Sequence, residues 1–328
     1  MLLVALLQTL APPARAQDAA PSAPPAAPED GRDDLAWAGV GFDSGLTTGP
    51  AGTRVLVSQG EFDVQGTAGP LYLRVDLDFH VDPNLESFSA PPATPEAAFL
   101  QIGRGTYRAS LGVVNPAIGL QAWDAWDNYL PSFSSTWNFQ NGQIAGVMPA
   151  IRFDSGAELG VFGGRDMGWG DWTGGAYFAT EQDGYSTWSG VSAWPALDYY
   201  AAFPSVELYP TDWLWLDVDA AAGLAGGNPF AGGALVLNFF PESEPNPVLR
   251  VEKMIDPGGK AGAFLELGVP DTSVSVALNT NPADFVRLSA EGKLDWTDGY
   301  ASGTGVFYVA FHTPDPETDF STFEEAGE

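Results

Sequence analysis

The chain has 328 residues, with 13 Lys plus Arg against 42 Asp plus Glu, two histidines and no cysteine, giving a formal net charge of −29. Such a charge repels a polyanion and excludes a nucleic-acid surface. Without cysteine there is no disulfide framework, thiolate metal site or cysteine nucleophile, and two histidines exclude a multi-histidine metal site.

In chain order, residues 1–10 form the apolar run MLLVALLQTL, followed by APPARA. Ala14-Arg15-Ala16 fits a small-x-small cleavage pattern, so residues 1–16 read as a signal peptide that directs export. Pro12 and Pro13 would end a buried helix at once. Residues 17–34, QDAAPSAPPAAPEDGRDD, read as an extended Ala/Pro-rich periplasmic leader with no core-forming content. No apolar stretch of about 18 residues follows, so no transmembrane helix is expected.

From there on the pattern has period two. In residues 71–81, Leu71, Leu73, Val75, Leu77, Phe79 and Val81 alternate with Tyr72, Arg74, Asp76, Asp78 and His80. This is a strand with one apolar and one charged face. The same alternation runs through 106–113, 143–154, 213–224, 247–255 and 285–294. Short turn signals fall near 67–70, 104–105, 154–156, 181–184, 210–212, 241–246 and 281–284. Between them lie connections read as longer, at 44–53, 82–95, 115–142, 165–171, 193–198, 225–230, 256–271 and 296–301. Seven short and eight longer connections join about 16 strands, within a range of 14–18. Short turns at one end and long loops at the other predict a transmembrane antiparallel β-barrel over residues 35–312, with an acidic tail at 313–328. Tyr107, Phe153, Phe239 and Phe311 on the apolar face near strand ends suit an interfacial girdle. The rival fold is an exported soluble β-sandwich that binds carbohydrate. Against it, the apolar face carries many small residues (Ala109, Ala145, Ala220, Ala222, Ala290), whereas a sandwich core needs large branched ones.

Several segments carry a family resemblance. ALVLNFFPESEPNPVLRVEKMIDPGG, residues 234–259, resembles the strand–turn–strand signature of the porin-2-type β-barrel family of Gram-negative outer membranes. It carries the Arg250-x-Glu252 pair and the Asp256-Pro257-Gly258-Gly259 loop. Pro210-Thr211-Asp212 is similar to that family's periplasmic turn. SLGVVNPAIGLQAWDAWDNYLPSFSS is similar to its long loop, with Asp127 and Asn128 as an adjacent pair. The chain departs from the pattern in continuing past Phe311 into HTPDPETDFSTFEEAGE rather than ending on a strand with a terminal Phe. The resemblance implies an outer-membrane porin and no defined solute.

A barrel of about 16 strands is wide enough to hold an aqueous channel. The strand phases put Arg74, Arg108, Arg152, Arg250, Arg287 and Lys293 on the pore side. With them lie Glu61, Asp63, Asp76, Asp78, Glu158, Glu207, Asp217, Asp219, Glu252 and Glu291. The acidic excess is small beside the whole-chain charge and predicts passive diffusion of small hydrophilic solutes and ions with weak cation preference. Residues 115–142 form the candidate constriction loop, with Trp123, Trp126, Asp127, Asn128, Tyr129, Phe133, Trp137 and Phe139. A rim loop above the membrane is the other placement. His80 beside Asp78 and Asp82 lacks the partner motif a serine-type site needs, so no catalytic residue is expected. The stretch 166–171 has too few regularly spaced oxygens for a Ca²⁺ loop, and neither a metal nor a cofactor is expected. Trp169, Trp172, Trp188, Trp194, Trp213 and Trp215 read as interfacial anchors rather than sugar-stacking rings. The expected partners are outer-membrane lipid, the permeating solutes and the barrel assembly machinery. A further copy of the chain can pack through an apolar strand face.

Overall fold

The computed structural model describes residues 36–312, apart from 51, 81–93, 104–105, 117, 120–129, 131–133, 136–138, 140–141, 169, 242, 257–259, 262–268 and 284. The leader, the tail and the proposed cleavage site lie outside the described residues. Period-two alternation becomes strand throughout: β1 (Ala36–Gly49), β2 (Gly52–Ala68), β3 (Leu71–His80), β4 (Thr94–Ile102), β5 (Tyr107–Val114), β6 (Ile144–Arg152), β7 (Glu158–Asp166), β8 (Trp172–Gln182) and β9 (Tyr185–Trp194). There follow β10 (Tyr199–Phe203), β11 (Ser205–Thr211), β12 (Leu214–Ala225), β13 (Asn228–Phe239), β14 (Asn246–Ile255), β15 (Thr272–Ala283), β16 (Val286–Thr297) and β17 (Tyr300–His312).

Consecutive strands pair antiparallel, and β1 pairs with β17 from Gly41↔His312 to Thr48↔Gly305, which closes the sheet. β10 and β11 are one stave interrupted at Pro204, for both pair with β9 on one side and β12 on the other. The 17 segments therefore make 16 staves, the expected even number. Closure removes both sheet edges, the only way a sheet can satisfy its backbone in lipid. A single sheet closed on itself also overturns the two-sheet sandwich.

The strand phases follow the pattern of the residues. Val218, Leu235, Val251, Val276 and Leu294 stand exposed on the outer surface, while their sequence neighbours Asp217, Ala234, Arg250, Ser275 and Lys293 face the barrel interior. A ring of exposed aromatics marks the short-turn end on the outside: Tyr107, Phe153, Tyr185, Trp213, Phe240, Phe285 and Phe311. Trp172, Tyr200 and Tyr300 mark the other end.

One expectation is corrected. Three of the connections read as long are tight hairpins, at 50–51, 226–227 and 298–299. Gly226 and Gly227 have φ of 56° and 73°, and Asp298 and Gly299 have 51° and 82°. Two successive positive φ values match the twist of the flanking strands and close a hairpin in two residues. The long-loop end is thus uneven, with 81–93, 115–143 and 256–271 as its large connections.

Candidate functional site

Alternation on a closed wall turns every second side chain inward, and a polar or charged group there must find water or a partner. The inward charges among the described residues are six basic (Arg74, Arg108, Arg152, Arg250, Arg287, Lys293) and twelve acidic (Glu61, Asp63, Asp76, Glu158, Asp166, Glu181, Glu207, Asp217, Asp219, Glu252, Glu291, Asp295), Glu181 by its place opposite Ser186. Asp166, Glu181 and Asp295 add to the expected set, because β7, β8 and β16 run further than the sequence reading took them. The side chain of Asp78 lies outside the described residues.

Acids and bases pair locally. Arg74 Nε lies 2.5 Å from Asp76 Oδ2, and Lys293 Nζ lies 3.4 Å from Asp295 Oδ1. Arg108 pairs with Glu158, whose other oxygen accepts from the Tyr177 hydroxyl at 2.6 Å. Arg250 Nε lies 2.6 Å from Glu252 Oε1, and its Nη2 lies 3.7 Å from Glu291 Oε1. Among the described side chains two facing pairs have like charge: Asp63 stands directly opposite Asp76, and Glu207 directly opposite Asp217. Facing carboxylates destabilise a sheet. The two pairs stand eight staves apart in the ring of 16, on opposite sides of the barrel.

The 115–143 connection enters the barrel. Ser135 donates from its N–H at 3.2 Å and its hydroxyl at 2.8 Å to Glu252 Oε2. Leu130 is buried with the inward residues Val236, Val248 and Ala277. Phe139 stacks on Phe230 with ring centroids 4.5 Å apart, and its carbonyl accepts from the Tyr199 hydroxyl. Of the two placements, the described residues of this loop take the inward one. The candidate constriction residues Trp123, Trp126, Asp127, Asn128, Tyr129 and Trp137 lie outside the described residues. The residues that anchor the loop are Leu130, Ser135 and Phe139, and only Phe139 stood out in the sequence. A serine in the run SFSST carries no local mark of a partner 117 residues away.

Docking divides the inward charges. Against the loop, Arg250 and Glu252 are 0% and 2% exposed at the side chain. On the β3–β7 wall, Arg74 is 42% exposed beside Asp76 at 1%, and Arg108 is 25% exposed beside Glu158 at 7%. There the arginines are the more exposed partners, and the carboxylates are buried beside them. Parity fixed the direction of each side chain, but its exposure depends on its neighbours, the loop at Glu252 and the paired base at Asp76 and Glu158.

The interior is also less polar than alternation implies. Trp194, Tyr199, Phe203, Phe230 and Met254 point inward at the long-loop end and pack with Ile118 and Phe139 into one buried cluster. This corrects the tryptophan reading. Trp172 at 73% exposed and Trp213 on the outer ring suit interfacial anchors, but Trp194 at 4% is interior, and Trp188 and Trp215 face inward half-buried. Glycine makes room for such side chains: a Cβ on Gly160 would lie 2.2 Å from the Tyr177 ring, and one on Gly232 would lie 1.9 Å from Met254 Sδ. Among the described residues no group of three or more His, Asp or Glu is arranged to hold a metal ion.

No protein-family model matches the chain, and a search of curated proteins finds no match. Solved structures do match. Salmonella typhi OmpF in complex with daunomycin superposes with a TM-score of 0.67 at 9% identity, covering 85% of this chain and 98% of that one. Two engineered variants of the Rhodopseudomonas blastica porin superpose at 0.59 and 0.58, each with 14% identity, covering 85% of this chain and all of theirs. At these identities the likeness establishes the fold: the chain is a closed 16-stave antiparallel barrel of the kind porins have.

Proposed function

We propose that the chain is an outer-membrane porin that lets small hydrophilic solutes and ions diffuse passively through a barrel narrowed by the loop at 115–143. The observation that carries this reading is the contrast of faces: an apolar, aromatic-ringed exterior encloses an interior with charges of both signs, and a loop docks on one side of it. An exterior of that kind is stable only against lipid, and paired charges in a wide barrel need water beside them. Residues 1–16 would direct export and be removed, and the barrel assembly machinery would insert the remainder.

We further propose a weak preference for cations. The inward acids outnumber the inward bases, and acids face each other across the wall at Asp63–Asp76, where Asp76 also pairs with Arg74, and at Glu207–Asp217 on the opposite side. Their field acts over about 8 Å at physiological salt, so it biases ions passing close to the wall without excluding the other sign. Single-channel recording of the refolded protein in a planar bilayer tests the first claim, and the reversal potential across a KCl gradient tests the second. Absence of any conductance would overturn the channel; strong anion selectivity would overturn the assignment of the acidic excess to the permeation path.

A further inference from the structure

The stave made of β10 and β11 keeps one register against β9, with Phe203 facing Gly190 and Glu207 facing Ser186. Between those pairs the backbone ladder is missing. Pro204 sits at the gap; its carbonyl still accepts from Ala220 N–H at 3.0 Å on the β12 side, but it has no N–H to return. On the β9 side hydroxyl groups replace the ladder. Ser205 Oγ donates to the Trp188 carbonyl at 2.5 Å and accepts from Trp188 N–H at 3.2 Å. Ser205 N–H donates to Ser189 Oγ at 2.9 Å, and the hydroxyls of Thr187 and Ser189 donate to the Ser205 carbonyl. A barrel wall in lipid has no water to satisfy such groups, which explains three hydroxyls at one break.

The gap has a second occupant. In a continuous antiparallel ladder the Trp188 carbonyl would accept from Ser205 N–H. Here that N–H goes to Ser189, and the carbonyl accepts from Gly119 N–H of the inner loop at 2.7 Å. Ile118 lies beside it on Gly190, where a Cβ would come within 2.5 Å of Ile118 Cγ1. We propose that the break at Pro204 is the dock for the root of the inner loop, and that Ser205 is the positioning residue that holds the dock open. The loop's distal anchors at Ser135 and Phe139 are separate contacts, so the root would set where the loop leaves the wall. For permeation this rests on the porin reading; the dock itself does not.

The chain has no cysteine, so the double variant Ile118→Cys with Gly190→Cys reports docking directly. In refolded full-length protein, oxidised glutathione should join the pair, read as a shift on a non-reducing gel. Adding Ser205→Ala lets Ser205 N–H return to the Trp188 carbonyl. It should slow the joining by about fivefold, the population change for one net hydrogen bond. Ser205→Thr, which keeps the hydroxyl, should restore the rate. Ser189→Ala releases the same N–H and should act like Ser205→Ala, which covers the case where that variant does not refold. Equal rates in all backgrounds, or no joining in any, would overturn the dock. Joining that responds as described in a protein without conductance would leave the dock standing and overturn the porin reading alone.

Discussion

Replacing Glu252 by alanine tests the most heavily buried part of the wall. Arg250 is fully buried, with Glu252 at 2.6 Å and Glu291 at 3.7 Å as carboxylate neighbours. Glu252 also receives two hydrogen bonds from Ser135. Truncation removes the nearer counter-charge from a desolvated guanidinium, which costs about 3–5 kcal/mol in a buried pair. It also strands the two Ser135 donors. Glu252→Gln also removes the counter-charge but keeps an oxygen that can accept from Ser135, so it should cost about 1–2 kcal/mol less than alanine. The assay is urea unfolding in lipid vesicles, followed by tryptophan fluorescence and by the gel shift between folded and heat-denatured barrel. In planar bilayers the alanine variant should show a noisier open level than the parent, because the loop has lost an anchor, and the glutamine variant should stay close to the parent. An alanine variant within 1 kcal/mol of the parent would refute the reasoning, since Arg250 would then have found its counter-charge elsewhere.

Val218→Arg puts a charge on the lipid face and should cost about 2–4 kcal/mol. Asp217→Asn, one residue away, relieves the repulsion from Glu207 and should be neutral or stabilising by up to about 1 kcal/mol; urea midpoints in the reverse order would put the phase of β12 in error. Gly160→Ala should cost about 1–3 kcal/mol, because the new methyl displaces the Tyr177 ring and its bond to Glu158. A loss below about 0.5 kcal/mol would mean that the ring does not lie on that glycine. Tyr199→Phe leaves the buried Phe139 carbonyl without its hydroxyl donor, at a cost of about 1–3 kcal/mol in the same titration. Equal stability of Tyr199→Phe and parent would count against the inward loop.

The residues themselves determined the strands, their phase and the order of the turns. A stave with lipid on one face must alternate, and the run from Leu71 to Asp78 does so without a fault. The same reasoning placed Asp217, Arg250 and Glu252 inward. Two of the three tight hairpins were legible in principle, since Gly226-Gly227 and Asp298-Gly299 are type I′ dipeptides; broader Gly/Asp-rich signals around them obscured the turn. Tertiary structure alone decided what each inward side chain meets. Asp63 opposes Asp76 through a hairpin register, and Ser135 reaches Glu252 from 117 residues away. Trp194 looked like an interfacial ring until the inner loop gave it an apolar neighbour inside the barrel. Periodicity records which way a side chain points from its own strand, because that is set by the local backbone. Burial and pairing are set by whatever segment arrives on that face, and no local pattern encodes a contact closed by a distant loop.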